Sequence, residues 1–241
     1  MPISTTHSLV GGLFGAGVMA IGSDFNFEKL TDKFLFPLIA SPLMAAIIAL
    51  VVYFVLSQTR KKLKIKKNKN TDNETAADEK YLGEFLGIQN QKMLDILHFI
   101  SSGIVSFARG LNDTPKIVGL LLIINTLDIR IGMISIAISM AIGGLLNAKK
   151  VGTIISEKIT PMNSGQGFIA NLITGVLVTT ASIHGMPVST THVSIGSIFG
   201  IGTVTRKANF SVIKKILASW VLTLPIAAIL SGLIYFILSQ F

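Results

Sequence analysis

A sixteen-residue phrase occurs twice in this chain of 241 residues, as PISTTHSLVGGLFGAG from position 2 and as PVSTTHVSIGSIFGIG from position 187. Nine positions are identical, most of the others exchange one aliphatic residue for another, and a methionine precedes each copy. Duplication on this scale marks an internal repeat, so the chain is expected to fold as two related halves that present the same local structure.

Composition says in which solvent. Half of the residues are hydrophobic and only 14% are charged, with a mean hydropathy of +0.67. Soluble domains carry about a quarter charged residues, so this is a membrane protein by composition. There is no cysteine, which excludes disulfides and thiolate chemistry. No cleavable signal pattern is visible at the polar opening Ser4-Thr-Thr-His7. The net charge of +9 would suit nucleic acid, but seven of the 21 Lys and Arg lie within residues 60–69. That is a juxtamembrane basic cluster, facing cytoplasm or anionic lipid. The bilayer is the expected partner, and nucleic acid is not.

A spanning helix needs about 20 apolar residues. Residues 34–57 hold no charge over 24 positions and are expected to span. Residues 131–148 and 216–238 are further spans, the latter kinked at Pro225. Between 58 and 84 the chain turns polar, with disorder expected over 66–77. Two apolar stretches of 34 residues, 94–127 and 168–201, are too long for one ordinary span. The first is interrupted at Arg109-Gly-Leu-Asn-Asp-Thr-Pro-Lys116, the second at His184-Gly-Met-Pro-Val-Ser-Thr-Thr-His192. Each reads as two half-helices joined by a polar break, which is tolerated at membrane depth only where it is buried or lines a watery cavity. The expected organisation is the remainder of a first repeat (1–57), a cytoplasmic loop (58–92) and a second repeat (93–241).

The basic cluster makes the end of the 34–57 helix cytoplasmic and the loop 23–33 external. The loop 203–215 carries Arg206, Lys207, Lys214 and Lys215 with no acid, so it is expected inside. One motif is thus followed by an external loop and its copy by an internal one. The repeats are inverted. The fold class expected is an all-α integral membrane protein, an inverted-repeat secondary transporter with broken or re-entrant half-helices.

Ser189-Thr190-Thr191-His192 follows Gly185 and Pro187 and precedes an apolar run, the pattern of a capped helix start. A half-helix N-terminus inside the membrane offers free N–H groups and the positive end of a dipole, which suits an anion. Ser4, Thr5, Thr6 and His7 repeat the pattern. At such a terminus the dipole gives His7 and His192 an orienting hydrogen-bond role before a charged one. The second constellation is Arg109, Asn112, Asp113 and Lys116, costly at membrane depth and functional by default. An internal ion pair from Asp113 to Arg109 or Lys116 is part of that reading, as is a helix start at Asp113-Thr114-Pro115. His98, on an apolar face, is read as packing. No P-loop, metal-ligand cluster or nucleophile–base–acid order is visible, so nothing supports an enzyme.

The segment from Gly110 to Lys116 resembles the Gly-Ala-Asn-Asp signature of the inorganic phosphate transporter (PiT) family. Residues 187–192, with their twin at 2–7, resemble that family's other repeated motif. The resemblance covers most of the chain. It implies a permease for inorganic phosphate in the plasma or inner membrane, driven by sodium or protons, with no other cofactor. Carried over, it nominates Asn112, Asp113, Thr114, Ser189, Thr190, Thr191, Ser4, Thr5 and Thr6 for substrate. Asp113, Lys116 and Arg109 form the coupling network, with sodium near Asp113.

The family has an Asn-Asp motif in each repeat, whereas this sequence has only the second one. The expectation is an N-terminally incomplete copy, acting as a homo-oligomer or with a partner that carries the missing repeat. Lys116 stands where the family commonly has Asn, so its ammonium could neutralise Asp113 or take a cation's place; protons are then the expected coupling ion. Three alternatives stay open: a permease for sulfate or another oxyanion, a channel with twin half-helices, and a non-transporting remnant.

Overall fold

The computed structural model describes residues 3–63, 67–68, 80–85, 88–121 and 128–241. In chain order the helices are α1 (Thr5–Ile21), α2 (Phe27–Leu30), α3 (Phe36–Lys62), α4 (Asn90–Leu121), α5 (Ile129–Thr153), α6 (Ser164–Ile183), α7 (Thr190–Thr205) and α8 (Phe210–Leu238). π-helical turns at Thr31–Leu35 and Ile154–Ile159 lead into α3 and out of α5. Of the 66–77 stretch expected to be disordered, Lys67–Asn68 are the described part, paired antiparallel with Lys80–Tyr81; the rest lies outside the described residues. Residues 122–127, the end of the stretch read from 94, lie outside them as well.

The helix starts are written locally. The Ser4 hydroxyl accepts from the His7 amide at 3.2 Å, and the Ser189 hydroxyl accepts from the His192 amide at 3.3 Å. Each satisfies one of the backbone donors that a helix start leaves unpaired. Asn163 and Gln166 cap α6 reciprocally, each side-chain oxygen accepting from the other's amide at 3.1 Å. The Gln166 amino group then donates to the Tyr53 hydroxyl at 2.8 Å, tying α6 to α3.

The two motif helices pack crosswise, each on the long helix of the other repeat. Helix α1 lies on α8, and α7 lies on α3. Gly11 and Gly15 face the Leu224 and Ala228 carbonyls, while Gly196 and Gly200 face those of Pro42 and Ala46. A methyl at Gly15 would overlap the Ala228 carbonyl, and one at Gly200 the Ala46 carbonyl. Glycines four apart allow this close approach, the means by which helices associate in lipid without a hydrophobic driving force. The residue numbers rise together in both pairs, so each pair is parallel.

Helix α7 runs antiparallel to α8: His192 stacks on Trp220 at 3.5 Å and Phe199 meets Phe210 edge-on at 5.7 Å. It follows that α1, parallel to α8, points opposite to α7. Their N-termini meet, with the His7 and His192 rings 4.4 Å apart. This is an inverted repeat. A core of Ile159, Ile195, Ile198, Ile201, Ile213, Ile216 and Trp220 fills the space around α7.

Among the described residues five helices are long and apolar enough to cross a membrane: Phe27–Lys62, Asn90–Leu121, Ile129–Lys149, Ser164–Ile183 and Phe210–Leu238. Helices α1 and α7, of 17 and 16 residues, reach only about 25 Å, short of a hydrocarbon core of about 30 Å. Large apolar side chains cover the outside, among them Phe36, Phe107, Leu145 and Val221, as lipid contact requires.

The break expected at 109–116 is absent. Helix α4 runs unbroken from Asn90 to Leu121 with Pro115 inside it, and Asp113-Thr114-Pro115 starts no helix. The reason is spacing. Residues 109, 112, 113 and 116 fall on one helical face, and that face finds its partners on other elements, so the backbone need not open. Phe107, Leu111 and Leu120 stay exposed. The second expected break is present, between α6 and α7. Helix α8 continues through Pro225. His98 packs its ring against Gly167 of α6.

Candidate functional site

The segment between α6 and α7 begins with a glycine turn. Gly185 has φ +67°, a conformation in which a side chain is strained. The Met186 amide reaches back to the Ala181 carbonyl at 2.9 Å and the Gly185 amide to Ser182 at 3.1 Å, closing α6 as a Schellman motif. After four non-helical residues, in which the Val188 amide bonds back to the Met186 carbonyl at 2.9 Å, α7 starts at Thr190. The last carbonyl before the Ser189 cap, that of Val188, is buried and belongs to no helix. A buried carbonyl needs donors.

Three side chains supply them. The Asn112 amino group donates to the Val188 oxygen at 3.0 Å, the Lys116 ammonium at 2.7 Å and the Thr6 hydroxyl at 3.3 Å. One oxygen thus joins α4, the start of α1 and the start of α7. The Asn112 amino group also approaches Asp113 Oδ1 at 2.9 Å and Thr190 Oγ1 at 3.2 Å. Lys116 donates to Thr6 Oγ1 at 3.2 Å and lies 3.7 Å from Asp113 Oδ1. Arg109 holds Asp113 Oδ2 at 3.7 Å and donates to Thr191 Oγ1 at 3.3 Å.

The nominated residues therefore divide. Asn112, Asp113, Lys116, Arg109, Thr6, Thr190 and Thr191 converge on one junction. Ser4 and Ser189 are buried beside it as caps. Thr5 and Thr114 do not converge: Thr5 is exposed, and Thr114 turns to α5, its hydroxyl 3.7 Å from the Met140 sulfur. His7 Nδ1 lies 3.2 Å from the Ser4 hydroxyl. His192 Nδ1 lies 3.3 Å from the Leu38 carbonyl, fastening the start of α7 to α3. Sequence reasoning missed the Val188 carbonyl and Ser182, whose hydroxyl donates to Asn112 Oδ1 at 3.4 Å. The signal for the carbonyl was Pro187, which keeps its neighbourhood out of the helix.

A cavity of about 700 Å³ leads to the junction. Asn112, Lys116 and Pro115 line it from α4, Ser182 and His184 from the end of α6, and Asp32 and Lys33 from the stretch before α3. It opens at the end of the molecule where α3 begins, opposite the basic run Arg60-Lys61-Lys62 that ends α3. Two cations, Arg109 and Lys116, face one carboxylate, Asp113. With two helix N-termini aimed at the same place, the potential there is positive. The described residues hold no convergent group of three His, Cys, Asp or Glu; the oxygens gathered around Lys116 are those of Asp113, Thr6 and Val188.

The model of the phosphate transporter family matches residues 1–231. The chain belongs to the phosphate transporter family. Within it, the chain is 28% identical over 251 residues to a Bacillus subtilis protein named "Probable low-affinity inorganic phosphate transporter", covering 100% of this chain and 69% of that one. A Rhizobium meliloti protein of the same name is 27% identical over 247 residues, covering 98% of this chain and 67% of its own. A solved structure, "The sodium-dependent phosphate transporter", superposes with a TM-score of 0.80 at 22% identity, covering 100% of this chain and 74% of that one. The inverted-repeat fold is therefore that of a known transporter, and this family member is a multi-pass membrane protein.

Proposed function

We propose that this chain is a permease, not an enzyme, that carries inorganic phosphate across the membrane, coupled to a sodium or proton gradient. The observation that carries the reading is the junction itself: two buried helix starts, pointed at each other from inverted repeats, beside an excess of fixed positive charge. A phosphate anion meets there backbone donors, the Thr6, Thr190 and Thr191 hydroxyls and the Lys116 and Arg109 cations, all at one depth. Phosphate oxygens are bound well by helix N-termini and by paired cations. The positive-inside tendency puts the basic end of α3 in the cytoplasm, so the 700 Å³ cavity faces outward and admits substrate from outside. Membership of the family supports phosphate as cargo.

The test is uptake of radiolabelled phosphate into proteoliposomes holding the purified chain, under imposed sodium and proton gradients and with sulfate as competitor. Saturable uptake that sulfate fails to displace supports the reading. Uptake of sulfate in preference to phosphate, or non-saturable flux, overturns it.

A further inference from the structure

The Lys116 ammonium sits in an oxygen cage. Its three N–H donors face three oxygens from three elements: the Val188 carbonyl at 2.7 Å, the Thr6 hydroxyl at 3.2 Å and Asp113 Oδ1 at 3.7 Å. An ammonium has three donors and no acceptor: here two are hydrogen-bonded, to Val188 and Thr6, and the Asp113 carboxylate stands at ion-pair distance. Carbonyl, hydroxyl and carboxylate oxygens are also the donors that hard metal cations select. The two uses exclude each other, because the ammonium fills the centre on which the oxygens converge. A side chain anchored on α4 cannot leave with the cargo, as a free ion can.

We propose that Lys116 is a tethered cation occupying the cation position of this site, so that the anion binds against a fixed charge and no sodium ion is carried in the cage of Asp113, Thr6 and Val188. The inference rests on the reading of the junction as a phosphate site and names its cation. It also separates this chain from the sodium-dependent transporter whose fold it shares. Lys116 has a structural duty besides, since it links α4 to the starts of both α1 and α7. The same contacts therefore tie the charge to the element that must move if the junction is to open.

The experiment measures binding of radioactive sodium to the purified, detergent-solubilised chain, with choline chloride holding ionic strength constant. This readout does not depend on phosphate transport, so it can fail without the carrier reading failing, and the reverse. The native chain is expected to show no saturable sodium binding. Lys116→Asn and Lys116→Met, which remove the ammonium and leave the oxygens, are expected to gain saturable binding that a further Asp113→Asn substitution abolishes. Saturable binding to the native chain that Asp113→Asn abolishes overturns the proposal. So does its absence in both Lys116 variants when each elutes as a folded species. Should neither variant fold, the native chain decides alone, by binding or failing to bind sodium at Asp113.

Discussion

The amino group of Asn112 lies 3.0 Å from the carbonyl oxygen of Val188, seventy-six residues away, and closes the gap between a continuous helix and a broken one. Through this contact α4 supplies what the non-helical segment before α7 lacks. Replacing Asn112 with alanine leaves the carbonyl to Lys116 and Thr6 and removes a donor from a buried site, at a cost of about 1–3 kcal/mol. Asn112→Asp is expected to be worse, because it sets an acceptor against the Val188 oxygen and the Asp113 carboxylate. Thermal midpoints of the two purified variants check the order.

Asp113 is the carboxylate that faces both Arg109 and Lys116. Asp113→Asn leaves the largely buried Lys116 and the half-exposed Arg109 without their counter-charge, a change of about 3 kcal/mol that comes mainly from Lys116. Phosphate uptake is expected to fall roughly tenfold or more, together with the thermal midpoint. Uptake at the native rate would remove Asp113 from the transport site.

The crosswise helix packing predicts a paired sensitivity. Gly15→Ala and Gly200→Ala each press a methyl into a facing carbonyl, and overpacking of this kind costs about 1–3 kcal/mol. Gly12 has open space around it, so Gly12→Ala is expected to be neutral or to stabilise by up to about 1 kcal/mol through helix propensity. Comparing unfolding of the three variants in the same detergent tests whether the two interfaces are equivalent.

Thr5 and Thr190 occupy the same place in the repeated phrase but not in the structure. Thr190 is buried, its hydroxyl accepting from Asn112 at 3.2 Å, and Thr5 is exposed. Thr190→Ala is expected to weaken phosphate uptake several-fold and Thr5→Ala to leave it unchanged. Equal effects on the apparent KM for phosphate would contradict this asymmetry.

The break between α6 and α7 was legible because Gly185 and Pro187 interrupt an apolar run, and their backbone preferences act locally. The same logic misread α4. Gly110 and Pro115 also look like interruptions, yet Arg109, Asn112, Asp113 and Lys116 recur at helical spacing and share one face. Hydropathy along the chain registers their cost but not the partners that offset it. Those partners, the Val188 carbonyl and the hydroxyls of Thr6, Thr190 and Thr191, come from segments remote in sequence. Thr114 was nominated with its neighbours and turned toward Met140, because a helix sends adjacent side chains to different faces.

By itself the sequence determined the paired capped helix starts, the break at Gly185 and Pro187 and the inverted order of the two halves. Each depends on φ/ψ preference, on hydrogen bonds within a few residues, or on the charge of adjoining loops. Tertiary structure alone decided that Thr190 is buried while its counterpart Thr5 is exposed, which carbonyl receives Lys116, and which faces of α4 meet protein or lipid. Burial and ion pairing depend on what lies across the interface, and two copies of one phrase carry no record of having different neighbours.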